Sequence, residues 1–402
     1  MTSPTISRHA RWGVPTLAVS AVVAGFALQP LLAAASAADL PETTPEQLVA
    51  QVLAADPQPL SGTVVYTADL GLPNIAALAG VAGLNSAMTS ADPTNLLAGT
   101  STLKVWTDAD SRSRVTLQGG TSEFSVVHDA TQAWTYSSHD QTVTHYTVDD
   151  PARLAELGQT EVPVPADLPT PPRAADDLLA ELGQHSTLTL DATTTVAGRA
   201  AYQLVLTPKS TTTLVGRITV AIDGKTFSPL KVAVWSRDDA QNPAVELGFT
   251  DVTFATPSDQ VLTWSTPAGA QVEEVVVPLP TDAEIAEAAA EAQDLAPTVT
   301  VSGTGWDQVV TITGLPVDEL MGLPGTGPDR SAHRHPLPGL AQDYAQMPEE
   351  APQIAQSLLA GLSTEVDGGR LISSSLVNVL LLDDGRVLVG AVPGDTLLAA
   401  AR

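Results

Sequence analysis

The chain has 402 residues, with 18 Lys and Arg against 45 Asp and Glu and a formal charge of −27; so acidic a surface excludes nucleic acid and anionic lipid headgroups as main partners, since both sides would be negative. Cysteine is absent, which excludes disulfides, thiolate metal sites, Fe–S clusters, Cys nucleophiles and attachment through a lipidated Cys. The apolar fraction is 44% but aromatics make only 4%, a folded composition resting on Ala, Val and Leu, with length enough for two or three domains.

Arg8, His9 and Arg11 precede a stretch without Asp, Glu, Lys or Arg from Trp12 to Ala38. A basic start, an apolar centre from Val14 to Leu28 and the small-residue end Ala35-Ser36-Ala37-Ala38 make a secretory signal over residues 1–38. The same stretch is long enough to stay as a membrane anchor. Either way the rest of the chain is expected outside the cytoplasmic membrane. Loss of Arg8 and Arg11 would make the mature chain more acidic still.

Thr44-Pro45-Glu46-Gln47 reads as a helix start: Thr44 as N-cap, Pro45 at the first helical position, Gln47 closing a capping box. Leu48, Val49, Val52 and Leu53 follow at helical spacing. Period-two alternation then predicts strands around Val64 and Tyr66, Leu103 and Val105, Val115 and Leu117, Phe124 and Val126, Trp134 and Tyr136, and over Thr142–Val148. An uncharged insertion, about Pro73 to Ala98, separates the first two and is expected to hold a short helix. After the Pro-rich break Val162–Pro172, a helix is predicted over Ala174–Leu182, carrying Leu178 and Leu179 and capped by Gly183. Strands resume over Thr187–Thr195, Ala200–Thr207, Leu214–Asp223, Leu230–Arg237, Ala244–Phe254 and Val261–Ser265, with hairpin turns at Val196-Ala197-Gly198-Arg199 and Asp223-Gly224-Lys225. That makes 11 or 12 antiparallel strands.

Residues 278–297 are acidic and Ala-rich and read as a linker. Residues 298–402 read as a small α+β unit. It has a hairpin around Gly305-Trp306, a Gly- and Pro-rich loop from Leu320 to Leu340, and a helix over Ala351–Leu362. Strands Asn378–Leu382 and Val387–Ala391 and an apolar tail, Thr396–Ala401, complete it.

The search for reactive groups is negative. His333-Arg334-His335 has no carboxylate pattern beside it and reads as an exposed loop. His139 and His145 flank a hairpin and read as surface; Asp129, after His128, reads as an Asx-turn residue. Ser101-Thr102-Leu103-Lys104 has S-x-x-K spacing on a strand, where Ser and Lys cannot meet, and no G-x-S-x-G elbow is found. Calcium-loop spacing is also lacking. No catalytic residue, metal or cofactor is expected.

What remains is the apolar face of the strands. Val64, Tyr66, Leu103, Val105, Val115, Leu117, Phe124, Val126, Trp134 and Tyr136 are expected to share it. Tyr202, Leu204, Leu206, Ile218, Val220, Ile222, Val232, Val234, Leu247 and Phe249 extend it. It is either a packed core or the lining of a cavity. So wide a sheet buries one face only if it curls around helices or a ligand.

Several stretches together resemble one family: Leu60-Ser61-Gly62-Thr63-Val64-Val65-Tyr66, Val126-Val127-His128-Asp129-Ala130-Thr131-Gln132-Ala133-Trp134-Thr135-Tyr136, Val143-Thr144-His145-Tyr146, and the Val196–Pro208 hairpin. They are similar to the superfamily of the lipoprotein carrier LolA and the sigma-E regulator RseB, in particular LolA-like exported proteins of actinobacteria. The likeness covers roughly Pro45–Pro267, with Asp384–Gly390 resembling the actinobacterial C-terminal end. It implies a mainly β (α+β) fold: a half-open antiparallel β-barrel of about 11 strands over residues 39–277, under a helical lid, plus the small C-terminal α+β domain. It also implies a non-enzymatic binding protein for a lipid or a lipoprotein acyl chain, with the apolar face as lining and Leu48, Val49, Val52, Leu53, Leu178 and Leu179 as lid. The carriers keep a buried Arg that bonds lid backbone; Arg112 and Arg114 are nearest in chain order, and Arg114 alternates outward. The other reading the family allows is an RseB-like sensor that binds a membrane protein through its C-terminal unit.

Overall fold

The computed structural model describes residues 40–72, 99–156, 168–277, 298–313 and 361–402, with isolated positions at 91, 93, 96, 279 and 281. The leader, most of the 73–98 insertion and of the 278–297 linker, the 320–340 loop and most of the expected helix at 351–362 lie outside the described residues. The chain divides into two compact units, Met1–Leu70 with Ser86–Ile285 and Gly71–Asn85 with Ala286–Arg402.

The first unit opens on α1 (Pro45–Ala54). Thr44 Oγ1 accepts from the Gln47 amide and Gln47 Oε1 accepts from the Thr44 amide, both at 3.3 Å, so two otherwise orphaned donors are satisfied. Six strands follow: β1 (Leu60–Ala68), β2 (Gly99–Thr107), β3 (Arg112–Gln118), β4 (Glu123–Asp129), β5 (Gln132–Ser137) and β6 (Thr142–Val148). Helices α2 (Pro151–Glu156) and α3 (Pro171–Leu182) lead to β7 (Ser186–Val196), β8 (Arg199–Pro208), β9 (Val215–Asp223), β10 (Pro229–Ser236) and β11 (Val245–Thr253). A helical turn, α4 (Asp259–Leu262), and β12 (Gln271–Val277) close the unit. The strands form one twelve-stranded sheet in the order β12-β6-β5-β4-β3-β2-β1-β11-β10-β9-β8-β7. It is mainly β, unclosed, and half-open. The β7–β8 turn uses Ala197 at φ 51 and Gly198 at φ 74, the paired left-handed conformation whose twist matches a two-residue hairpin.

Register sets the faces. Val64 stands opposite Leu103 on one side and Phe249 on the other, Leu103 opposite Leu117, and Leu117 opposite Phe124. Tyr66 stands opposite Leu247, and the row continues through Val232, Val220 and Leu204. These side chains therefore share one face, and Val64, Leu103, Leu204 and Val220 are 0% exposed there. The Tyr202 hydroxyl, on this face, donates to the Pro41 carbonyl at 2.9 Å, so the chain entering α1 crosses it. Helix α1 packs on β7 and α3 on β10 and β11, burying Leu48, Val52, Ala175 and Leu179. Each of the Leu and Val side chains contributes about 1.5–3 kcal/mol of burial.

Three elements differ from the sequence reading. Trp134 stands opposite Val127 and Tyr136 opposite Ser125, whereas Thr135 faces Val126. Both aromatics thus lie on the other face of the sheet from Val126, because their alternation marks exposure to a different covering segment. Val261–Ser265 is no strand: Val261 and Leu262 end the α4 turn, with Leu262 fully buried. The real last strand is β12, which runs parallel to β6; its sequence Gln271-Val272-Glu273-Glu274-Val275-Val276-Val277 has no alternation because six of its seven residues are exposed.

The second unit carries β13 (Thr298–Ser302), β14 (Val309–Thr313), β15 (Ser363–Val366), β16 (Gly369–Ser373), β17 (Asn378–Leu382), β18 (Val387–Gly390) and α5 (Gly394–Ala400). The sheet order is β13-β14-β18-β17-β16-β15. Val309, Leu380, Leu388, Val392 and Leu397 form a core that joins α5 to the sheet. Buried Asn378 donates to the Val392 carbonyl at 2.8 Å, fixing the chain before α5. The β15–β16 hairpin was not expected, and the apolar tail is α5.

Two substitutions separate the packed face from its margin. Leu103→Ala, at 0% exposure, is expected to lower the unfolding free energy by about 2–5 kcal/mol. Leu53→Ala, at 56% exposure, should shift it by no more than about 0.5 kcal/mol. Urea denaturation followed by circular dichroism measures both.

Candidate functional site

The residues expected to line a cavity divide into three groups. Val64, Tyr66, Leu103, Val105, Val115, Leu117, Val126, Tyr202, Leu204, Leu206, Ile218, Val220, Val232, Leu247 and Phe249 lie on the packed face, none more than 7% exposed. Phe124 and Val234 lie there too and are half-buried. Trp134 and Tyr136 lie opposite, as described. Among the expected lid residues, Leu48, Val52 and Leu179 are buried, Val49 is half-buried and Leu53 is exposed. The Leu178 side chain is outside the described set. Burial pushes the Tyr66 hydroxyl far above the usual tyrosine range, as expected for a phenol held in an apolar layer.

The open space is on the other face. A cleft of about 820 Å³ is bounded by β1, β7, β8, β9, β10 and β11. Of the expected residues only Phe249 borders it. Its floor is a cross-strand row running Val65, Gly248, Lys231, Ala221 and Gln203. The next row is Thr67, Glu246, Ala233 and Thr219. Gly248 and Ala221 sit in mid-sheet, where larger side chains would fill the space. Thr194, Thr195 and Val196 of β7 and Ala197 of the following turn stand on one side, with Trp235, Asn242 and Pro243 also bordering the cleft.

Gly248 has a particular role. A Cβ there would lie 3.0 Å from Lys231 Cγ, so the missing side chain lets the lysine stem cross the floor. Lys231 Nζ then reaches Glu246 Oε2 at 2.7 Å, both residues being about one-third exposed. The pair cancels its own charge, so the floor offers no net attraction to an anion. Trp235 receives the Arg217 guanidinium 4.4 Å from its ring centroid, and its buried indole N–H has no hydrogen-bond partner among the described residues. The volume falls in the range of roughly 300–1,000 Å³ usual for small-molecule sites. The lining mixes Val65, Val196, Ala221 and Trp235 with threonine hydroxyls, which suits an amphipathic ligand.

Further along the same face, a strap closes the sheet. Arg112 Nη1 donates to Asp259 Oδ1 at 2.9 Å and Arg114 Nη1 to the Val261 carbonyl at 3.0 Å. Arg112 also binds Asp108 at 2.7 Å. The Trp264 ring stacks on Trp134 at 6.0 Å, and Trp134 stacks on His145 at 4.8 Å. His145 bridges Gln132 at 2.9 Å and Glu274 at 2.7 Å, and is therefore half-buried and not at a free surface. Burial pulls the Arg114 pKa down, opposed by Glu123. The outward alternation of Arg114 holds, and its guanidinium bonds a short helical turn from that side. Arg114→Gln should lower stability by about 1.5–3 kcal/mol, the range for hydrogen bonds to charged groups, and shift the tryptophan emission to the red as Trp264 lifts.

The β8–β9 end is held by Asp223, 1% exposed. It accepts Arg199 Nε at 2.6 Å and Nη2 at 2.9 Å, and the Thr226 amide at 2.8 Å. Burial alone would raise its pKa, but Arg199 and the Thr226 and Lys225 bonds bring it below 3.8. A carboxylate with a depressed folded pKa stabilises fully above its unfolded value and loses that contribution as pH falls through the folded value. Asp223→Asn should therefore cost about 3–5 kcal/mol at pH 7. Urea titrations of both proteins should show the gap constant above about pH 5 and narrowing only below about pH 4.

Among the described residues no group of three or more His, Asp or Glu could hold a metal ion. No helix among them is long and apolar enough to cross a membrane.

No protein-family model matches the sequence, and no curated protein matches it. Solved structures are similar in fold. The Pseudomonas aeruginosa MucA/MucB complex is 18% identical, covers 89% of this chain and 96% of that one, at a TM-score of 0.41. MucB alone is 18% identical over 88% of this chain and 94% of that one, at 0.36. A LolA superfamily protein from Nitrosomonas europaea is 10% identical over 56% of this chain and 99% of its own, at 0.22. These are likenesses to LolA- and MucB-type folds and extend no further.

Proposed function

We propose that the protein is an exported, non-enzymatic binding protein that takes a lipid or a lipoprotein acyl chain on its half-barrel, in the cleft across β1 and β8–β11. The observation that carries this reading is the floor of Val65, Gly248, Lys231 and Ala221, which leaves about 820 Å³ open. An acyl chain would lie along Val65, Val196, Ala221 and Trp235, its carbonyl or headgroup polar atoms meeting the threonine hydroxyls and the Lys231–Glu246 pair. Each buried methylene is worth about 0.8 kcal/mol. The self-neutralised floor and the acidic surface favour recognition through the chain over an anionic headgroup. The signal-like residues 1–38 support export.

A fluorescent fatty-acid probe added to delipidated full-length protein tests this. Affinity should rise roughly fourfold per methylene until the cleft is full. Gly248→Leu, which fills the floor, should weaken binding by roughly tenfold or more with the melting curve little changed. Undiminished binding by Gly248→Leu contradicts the cleft assignment.

One observation favours the second reading, a sensor that binds a protein partner through the C-terminal unit. Edge strand β13 exposes Val299 by 39% and Val301 by 56%, without a charge in Thr298–Ser302. Val301→Asp should then abolish partner capture while leaving probe affinity unchanged.

A further inference from the structure

The outer edge of β12 is the least protected strand among the described residues. It is the terminal strand of the twelve-stranded sheet, paired only with β6. Residues Gln271 to Val276 are exposed on both faces. Val272 is 49% exposed, Val275 37% and Val276 60%. Soluble proteins usually blunt such an edge with Lys, Pro, a bulge or brevity. Here the strand is seven residues long, has no Lys, Arg or Pro, and pairs in unbroken register from Gln271 opposite Thr142 to Val277 opposite Val148. It is also held firmly. The Gln271 amide donates to the Gln141 carbonyl at 2.8 Å, and Glu274 grips His145 at 2.7 Å. An anchored strand whose outer edge pairs with no other strand among the described residues is a template for one more strand.

Charge decides what that strand is. The only charged residues of β12 are Glu273 and Glu274, on opposite faces, in a chain of net charge −27. Antiparallel pairing of two copies about the strand centre would bring glutamates of both copies together, which is unfavourable. We propose that β12 docks an extended, basic segment of another protein. The segment would add antiparallel, with apolar side chains beside Val272 and Val276 and Lys or Arg beside Glu273 and Glu274. Its field would steer a basic segment and repel an acidic one. The surface is independent of the cleft, which lies at β1 and β7–β11.

The test uses the full chain and a fluorescein-labelled decapeptide built around Val-Thr-Lys-Lys-Val, which in antiparallel register sets its two Val beside Val276 and Val272 and its adjacent Lys beside Glu274 and Glu273. Fluorescence anisotropy should show saturable binding that weakens with salt, and bound peptide should slow hydrogen exchange of amides in 271–277. The double variant Val272→Asn, Val276→Asn removes apolar contact and keeps charge and backbone; it should weaken binding by roughly tenfold with an unchanged melting curve. A peptide with Glu in place of Lys, and one with alternate backbone N-methyl groups, should not bind. Undiminished binding of the N-methylated peptide or by the double variant would mean attraction by charge alone and would overturn the proposal. So would equal binding of the Glu peptide, or a dimer in sedimentation velocity that the double variant dissociates.

Discussion

Strand β1 sits in the middle of the twelve-stranded sheet, and its register with β2 and β11 decides which way every other strand faces. Val64 meets Leu103 on one side and Phe249 on the other. The pairing with β11 slips between Thr63 and Val64. Gly62 makes the slip possible, since a Cβ there would fall 2.5 Å from the Asp251 carbonyl and 2.9 Å from the Phe249 ring. Because side chains alternate with period two, a one-residue error here would turn the whole apolar set outward. The packed face, the two helices over it and the cleft on the reverse all depend on this one junction.

The two faces are then treated differently along the sheet. One is filled throughout by aliphatic side chains. On the other, β3, β5 and β6 are covered by the strap from Asp259 to Trp264, held by Arg112, Arg114 and a stack of Trp264, Trp134 and His145. β8 to β11 lie beyond that strap, and there Ala221 and Gly248 border the cleft. A sheet surface with its middle side chains missing is a depression, and Lys231 lies across it only because Gly248 yields the room. The open volume thus lies over small residues, on the face that carries less apolar surface.

Much of this was legible. Alternation located eleven of the twelve strands between Leu60 and Val277, and the capping box at Thr44 and the turn at Ala197-Gly198 stand where the side-chain chemistry requires. What alternation cannot give is the face of a strand whose neighbours are unknown: Trp134 and Tyr136 alternate as well as Phe124 and Val126 do, yet serve the strap. Strand β12 escaped because exposure on both faces removes the periodicity, and α4 read as a strand because Val261 and Leu262 are β-formers turned by Arg114 and by burial of Leu262. The cleft did leave a trace, small residues at Ala221 and Gly248 on mid-strand positions, but a gap made by missing side chains is visible only once the strands are in register.

Where a lipid chain sits distinguishes the two faces directly. Spin-labelled stearate added to isotopically labelled full-length protein broadens amide resonances near the label and spares the rest. The cleft predicts broadening at Val65, Ala221 and Gly248 and unperturbed signals at Leu103, Val115 and Leu117. Broadening centred on Leu103, Val115 and Leu117, with the cleft amides sharp, would place the ligand in the packed face and contradict the cleft.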